Sequence, residues 1–432
     1  PLPNICGRVC THKCEGVCAI SHRGEPVAIR WLKRYAVDKL PQNEIKKAAK
    51  ENIFESGNKN KKIAIIGGGP AGLSAAYYLA LFGYDITLYE GDEKIGGVLR
   101  YGIPAYRLPD EAIDKDVDVI ESLGVKIKTK TMVGKDIDFE KIKKESDAIF
   151  LASGMRLTNS TKIEGIEKNG YRALDLLYKI RHGEEIPVGK KAIIIGGGNV
   201  AFDIARSLSR LQRQKYGSVN IVITSLEKEE ELPADEEELI EAREEGLNIE
   251  SEMGSRDPQD IVKDPFGNMI HLDPGKKLRC VTIVNTEDKT NPVMNVCIEE
   301  TKLGVMLEPS LAPQEVIFDE KGKIKGLKTV KCVNVYDDEN RFNPTLDMCE
   351  EKIFYGDMII EAVGQRADYS YLGEIEKELQ FERGRVKTDK NGATNLPWLF
   401  AGGDIIHGPD IINAVADGHR AAKAIDEYLN KK

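Results

Sequence analysis

The stretch Lys61-Lys62-Ile63-Ala64-Ile65-Ile66-Gly67-Gly68-Gly69-Pro70-Ala71-Gly72 decides the fold. An apolar run of strand length passes directly into three glycines and then into Leu73 to Leu81, stopped by Gly83. That order predicts strand, glycine turn and helix in immediate succession. Gly67 permits the tight turn, Gly69 lets a pyrophosphate approach the backbone, and Gly72 with Ala76 lets the helix close on the strand. The helix N-terminus then offers unpaired N–H groups to phosphate. A second strand, Asp85 to Tyr89, ends in Glu90, which suits the hydroxyls of an adenosine ribose. Glycine spacing alone also fits an ordinary turn with a surface glutamate, but the flanking strand, helix and acid make it a dinucleotide fingerprint.

The pattern recurs. Lys191 to Ile195 is a buried strand, and Gly196-Gly197-Gly198-Asn199-Val200-Ala201 leads into a helix through Ile204, Ala205 and Leu208. Ala201 stands for the third glycine and is small enough for the same helix–strand contact. Gly196, Gly198, Asn199, Val200 and Ala201 are therefore candidate contacts of a second dinucleotide. The next strand, Val219 to Ile223, precedes an acidic run from Leu226 to Asp235 that reads as a solvated face, except for Glu227 near the strand end. Ala148 to Gly154 and Asp357 to Gly364 run from strand to glycine and are expected to close the two sheets and mark the crossings between domains. Pro397 to Asp404 reads as a strand ending in Gly402-Gly403-Asp404, followed by a helix from about Ile411 to Leu429. A helix start there suits an anionic flavin edge, and Asp404 a ribityl hydroxyl.

The chain has 432 residues, 41% hydrophobic and 31% charged, enough for two or three domains and close to the average of globular proteins. A formal charge of -9 argues against a nucleic acid or an anionic membrane held by bulk electrostatics. The longest apolar runs are strand-sized, so no membrane insertion is expected. Nothing at the start resembles a signal peptide, and a start at Pro1 without Met is read as N-terminally truncated. The expected location is cytoplasmic.

Four of the eight cysteines, Cys6, Cys10, Cys14 and Cys18, crowd the first eighteen residues with three residues between neighbours. In a reducing compartment such crowding points to metal or to an iron-sulfur cluster rather than disulfides, and four thiolates satisfy one [4Fe-4S] cluster. Zinc is the alternative metal, and the regular spacing leaves open whether all four serve one cluster. Ile29, Leu32, Tyr35, Ala36 and Leu40 set an amphipathic helix from Ala28 to about Phe54, before a polar linker from Glu55 to Asn60.

Cys6-Gly7-Arg8-Val9-Cys10 with Cys14 and Cys18, the two glycine fingerprints, Tyr101-Gly102-Ile103-Pro104, and Ala401-Gly402-Gly403-Asp404 together resemble the glutamate synthase small-subunit family over nearly the whole chain. That family includes flavin subunits of ferredoxin:NADP oxidoreductases and related hydrogenase and transhydrogenase complexes. The resemblance implies FAD at Gly67, Gly69, Pro70, Ala71, Gly72, Glu90, Gly97, Gly154, Gly403 and Asp404. It implies NAD(P)H at Gly196, Gly198, Asn199, Val200, Ala201, Glu227 and Gly364, and a [4Fe-4S] cluster at Cys6, Cys10, Cys14 and Cys18. The expected fold class is α/β: two nested Rossmann-like dinucleotide-binding domains plus a small N-terminal helical iron-sulfur domain. The boundaries read 1–58 for the cluster domain, 59–157 with 365–432 for the FAD domain, and 158–364 for the NAD(P)H domain. An insert at about 250–312, beyond the family's usual length, reads either as a decorated loop or as a docking surface.

The resemblance also marks departures. Relatives commonly begin with another cysteine-rich motif, and the often acidic position after the fourth cysteine is Lys33, whose ammonium has no lone pair for iron; one cluster is expected. Relatives that use NADPH commonly carry an arginine pair where Leu226 and Glu227 stand, so NADH is favoured, unless Lys228 or Arg206 supplies the phosphate contact. No redox cysteine pair follows either fingerprint and no catalytic side chain is expected, because the flavin does the chemistry. The expected partners are a nicotinamide nucleotide and other redox subunits of a complex, ferredoxin-linked among them. The expected function is an electron-transfer subunit that exchanges hydride between NAD(P)H and FAD and relays electrons through the cluster to or from a partner subunit of a hydrogenase, transhydrogenase or ferredoxin-linked complex; the alternatives are a glutamate synthase small subunit feeding electrons to a large synthase subunit, or a largely structural cofactor-bearing scaffold.

Overall fold

The computed structural model describes the chain apart from residues 55–59, 246, 250–260, 264–268, 272–280, 285–291, 297–303 and 432. Most of the 250–312 insert, with Cys280 and Cys297, lies outside the described residues. The chain divides into two compact units, one inserted in the sequence of the other: Pro1–Thr158 with Leu177–Glu184 and Gln365–Lys432, and Asn159–Leu176 with Glu185–Gly364.

In the first unit five parallel strands lie in the order Leu399–Ala401, Ala148–Leu151, Lys62–Ile66, Asp85–Tyr89, Lys126–Lys128. Side chains alternate across a strand, so Ile63 and Ile65 enter one core with Leu73, Leu79 and Ile425, while Ala64 and Ile66 enter another with Phe139, Ile149 and Leu399. Burial on both faces is why these strands read as continuous apolar runs. The helix Pro70–Leu81 packs against the C-terminal helix Ile411–Asn430. A Cβ on Gly418 would lie 2.3 Å from the Ala71 carbonyl oxygen, so the small residue sets the close approach of these two helices.

In the second unit six parallel strands lie in the order Tyr171–Arg172, Met358–Glu361, Ala192–Ile195, Ile221–Thr224, Val305–Glu308, Leu247–Ile249. An antiparallel sheet of Leu311–Phe318, Ile324–Tyr336 and Phe342–Tyr355 accompanies them.

Four expectations need correction. Ala148–Leu151 and Met358–Glu361 do not close their sheets; each lies second from an edge, outside which Leu399–Ala401 and Tyr171–Arg172 pair. The helix expected from Ala28 to Phe54 is two helices, Ile29–Lys39 and Gln42–Glu51, because Pro41 removes an N–H and holds Leu40 in extended backbone. The strand expected at Val219 to Ile223 runs Ile221–Thr224. Residues 177–184 join the first unit rather than the second. Tyr178 donates to Asp92, Arg181 bonds Asp110 and the Arg100 carbonyl, and the His182 ring stacks 4.4 Å from Tyr101.

Candidate functional site

At the first glycine turn, φ of Gly67 is +103°, and a Cβ there would lie 2.3 Å from the Ala152 carbonyl oxygen. A Cβ on Gly72 would lie 2.0 Å from the Gly67 carbonyl oxygen. Both positions exclude a side chain on geometric grounds. A Cβ on Gly69 would meet nothing within 4 Å, so the turn opens there. Pro70 and Ala71 begin the helix, whose first N–H groups face that opening.

Glu90 folds back over the turn. Its carboxylate accepts from the Gly68 N–H at 3.0 Å and the Asp92 N–H at 2.9 Å, and it is buried. Burial raises its pKa against those two donors, which favour the charged form. Ile95 also covers Gly68, and Gly97 brings its Cα side within 3.2 Å of the Gly69 Cα, measured from a Cβ built on Gly97. Gly154 follows Ser153, against which Gly67 packs.

From the far end of the sequence, Gly403 lies against Ala71, and its N–H donates to Asp417 at 2.9 Å. Burial pushes the Asp404 carboxyl up to about 6, with the nearby Asp410 and Asp417 carboxylates acting in the same direction. Glu90, Gly97 and Gly403 thus come to the first glycine turn, and Gly154 and Asp404 follow residues that touch it.

The second turn repeats this construction. A Cβ on Gly196 would lie 2.4 Å from the Ala362 carbonyl oxygen, two residues before Gly364, and Ala201 is fully buried. Gly198 faces open space but for Pro233, 3.9 Å from its built Cβ. Asn199 and Val200 form the first helical turn, and Asn199 is locked to Asp235: Nδ2 donates to Oδ2 at 2.6 Å, and the Asp235 N–H donates back at 2.7 Å.

The two turns differ at the acid. Gly67 N–H donates to Tyr89 and Gly196 N–H to Thr224, so Ser225, not Glu227, occupies the place equivalent to Glu90. Glu227 stands two residues later, yet its carboxylate still reaches the turn, 3.4 Å from a Cβ built on Gly197. Arg206 is not at the turn: it is buried and paired with Glu238, Glu241 and Glu245. Lys228 lies 3.7 Å from Glu231. Sequence reasoning missed Asp235, hidden in an acidic run, and Asp417, a carboxylate at a buried position of the C-terminal helix.

Cys6 lies in the helix Pro3–Val9, Cys10 at its end, Cys14 in the short helix Lys13–Gly16, and Cys18 just before a 3-10 turn. Asp116 anchors the first helix, accepting from the Asn4 and Ile5 N–H groups and from Asn4 Nδ2. Cys6 and Cys10 are close enough to interact electrostatically; burial pushes the Cys6 thiol up to about 11 despite the nearby Lys33 ammonium. Backbone N–H groups of Val27, Ile20 and Ser21 lower the pKa of Cys18. Among the described residues no three cysteine, histidine or carboxylate side chains converge as a metal group.

Four thiols within eighteen residues are ligands of the type a [4Fe-4S] cluster takes, and the N–H groups at Cys18 favour its thiolate, although among the described residues the four side chains do not converge as a metal group. The glycine turns fit dinucleotides, with open space beyond Gly69 and beside Gly198. Among the described residues no helix is long and apolar enough to cross a membrane.

Residues 61–418 match the family described as pyridine nucleotide-disulphide oxidoreductase, and residues 1–45 match dihydropyrimidine dehydrogenase domain II, 4Fe-4S cluster. NADPH-Fe(3+) oxidoreductase subunit beta of Geobacter sulfurreducens is 30% identical over 100% of this chain, which spans 58% of that relative's length. NAD-dependent dihydropyrimidine dehydrogenase subunit PreT of Escherichia coli is 31% identical over 99% of this chain and 82% of its own. Glutamate synthase [NADPH] small chain of Escherichia coli is 28% identical over 99% of this chain and 81% of its own. Among solved structures, Mycobacterium tuberculosis FprA in complex with NADPH superposes with TM-score 0.65 at 20% identity, covering 86% of this chain and 85% of that one, a likeness of fold. Two glycine-turn units preceded by a 4Fe-4S segment place the chain among the pyridine nucleotide-disulphide oxidoreductases: it belongs to the family of FAD/NAD(P)H iron-sulfur flavoprotein subunits that includes the glutamate synthase small chain.

Proposed function

We propose that this chain is a cytoplasmic electron-transfer subunit. It exchanges hydride between NAD(P)H and FAD and relays electrons through a [4Fe-4S] cluster at Cys6, Cys10, Cys14 and Cys18 to or from a partner of a hydrogenase, transhydrogenase or ferredoxin-linked complex. The observation that carries this reading is the pair of glycine turns, each open at one glycine, with Glu90 bonded to the first and Glu227 beside the second, in a chain that begins with four crowded cysteines. FAD bound at Gly67–Gly72 would supply hydride chemistry with a nicotinamide and single-electron chemistry with a cluster. The protein's part is to hold and orient: helix N-termini stabilise pyrophosphate, Glu90 takes a ribose hydroxyl on its remaining lone pairs, and Asp404 a ribityl hydroxyl.

NADH is favoured over NADPH on the position of Glu227. An acid over Gly197 accepts from a free 2′-hydroxyl and repels a 2′-phosphate, a cost of ~1–3 kcal/mol. Relatives are named for both nucleotides, so their names do not choose between them. Service to a large glutamate synthase subunit is the second reading, favoured by the 28% identity to that small chain.

Anaerobic stopped-flow reduction of the reconstituted protein with each nucleotide, together with iron and flavin analysis, tests the reading. About one FAD and four irons per chain and faster bleaching by NADH are expected. Stoichiometric zinc without iron, or flavin that excess nucleotide leaves oxidised, overturns it.

A further inference from the structure

Ser310 holds a left-handed backbone, φ +59°, a conformation that costs free energy in any residue other than glycine. It stands between Val305–Glu308 of the parallel sheet and Leu311–Phe318 of the antiparallel one. Its N–H donates to the Glu227 carbonyl oxygen at 2.9 Å, and its own carbonyl accepts from the Cys332 N–H at 2.7 Å. The Leu311 N–H then donates to the Ser225 carbonyl at 2.7 Å. Strain of this kind persists where the surrounding contacts over-determine it, and here those contacts run to Cys332 and to the segment Ser225–Glu227.

The Glu227 carbonyl takes a second donor. The Ser225 hydroxyl donates to it at 2.9 Å, and Ser225 is buried. Two donors on one backbone oxygen fix the peptide that follows Glu227, and with it the direction in which the Glu227 side chain leaves the backbone. Leu226 packs against Ala312, Val330 and Cys332, so apolar contact holds the residue before Glu227 to the antiparallel sheet as well. The carboxylate that results from this grip lies 3.4 Å from a Cβ built on Gly197. Ser225 occupies the place that Glu90 has at the first turn, but the single proton of its hydroxyl is committed to Glu227.

We propose that Ser225 is a positioning residue for nucleotide choice: with the Ser310 N–H it clamps the Glu227 carbonyl and holds the carboxylate over the second glycine turn, where it tells a ribose 2′-hydroxyl from a 2′-phosphate. The proposal rests on the reading of Glu227 given above and adds what holds that acid two residues beyond the strand end. A loose glutamate swings away from a phosphate and loses its discrimination. A held one keeps the repulsion in the bound state, because its geometry is set before the nucleotide arrives.

The test uses the FAD-loaded full chain, titrated by calorimetry with ADP-ribose and with 2′-phospho-ADP-ribose, so that the ratio of the two dissociation constants reads the choice without turnover. The wild type should favour ADP-ribose by about tenfold or more. Ser225→Ala removes one donor and should lower that ratio by about threefold to tenfold, whereas Ser225→Thr keeps the hydroxyl and should preserve it. In a Glu227→Ala background Ser225→Ala should change the ratio no further, because the serine acts through the acid. Thermal unfolding checks that each variant folds. A ratio that Ser225→Ala leaves unchanged while Glu227→Ala lowers it overturns the proposal. So does a Ser225→Ala effect that survives in full in the Glu227→Ala background, which would make the hydroxyl itself a ribose contact. A ratio that Glu227→Ala leaves unchanged overturns the reading of Glu227, and the clamp's role with it.

Discussion

Lys13 Nζ lies 3.0 Å from Asp410 Oδ2. Asp410 caps the C-terminal helix by accepting from the Asn413 N–H at 2.9 Å, and its own backbone N–H donates to Asp404. A single ion pair therefore joins the cysteine segment to the residue beside the first glycine turn. Lys13 is 75% exposed, so the pair contributes less than about 1 kcal/mol to stability. Its effect is local order.

Lys13→Ala should leave the denaturation midpoint nearly unchanged while raising amide exchange across residues 12–18. It should also slow acceptor reduction more than flavin reduction. Unchanged exchange in that segment would show that the pair does not hold it.

Gly72→Ala and Gly69→Ala should separate folding from binding. The first puts a methyl 2.0 Å from the Gly67 carbonyl and should destabilise by several kcal/mol, about 3 or more. The second meets nothing within 4 Å and should fold like the wild type, yet weaken FAD binding by about tenfold because the methyl fills the pyrophosphate approach. Thermal unfolding and flavin titration read the two effects apart.

Asp404 makes stability depend on pH. Its folded pKa, about 6, lies above the ordinary 3.8, so its contribution is fully present below pH 3.8 and is lost as pH rises through 6. The loss is up to about 3 kcal/mol at 1.36 kcal/mol for each pKa unit. Asp116 is raised in the same way, so the difference between wild type and Asp404→Asn isolates one group. Relative to that variant, the wild-type apoprotein should lose stability between pH 4 and 6.5 in urea titrations. A difference constant with pH would contradict the burial of Asp404.

Glu227→Arg should shift nucleotide preference toward NADPH by about tenfold to a hundredfold, measured as the ratio of flavin-reduction rates. An unchanged ratio would place the adenosine ribose away from Glu227.

Cys10→Ser and Cys14→Ser should leave flavin reduction by nicotinamide largely intact while slowing transfer to the physiological acceptor. Equal losses in both half-reactions would contradict the relay order.

Both glycine turns, their strands and their helices were legible in the linear chain because their causes are local. A buried parallel strand must be apolar throughout, and a turn with φ of +103° at Gly67 needs glycine. The nesting of one unit within the other was legible from two fingerprints and a C-terminal strand ending in glycines and an acid, whereas the pairing of that strand with Ala148–Leu151 joins residues far apart in sequence. Other features depended on partners distant in sequence. Tyr178 and Arg181 carry residues 177–184 to the first unit through Asp92 and Asp110, far earlier in the chain. Ser225 takes the place equivalent to Glu90 because strand register, which no spacing reveals, aligns Thr224 with Gly196. The helix at Ile29–Lys39 shows the limit most clearly: its periodicity identifies an apolar side, but packing of Gly7 against Arg34 turns that side outward. Periodicity records which residues share a face; the direction of that face is settled by close contacts between elements.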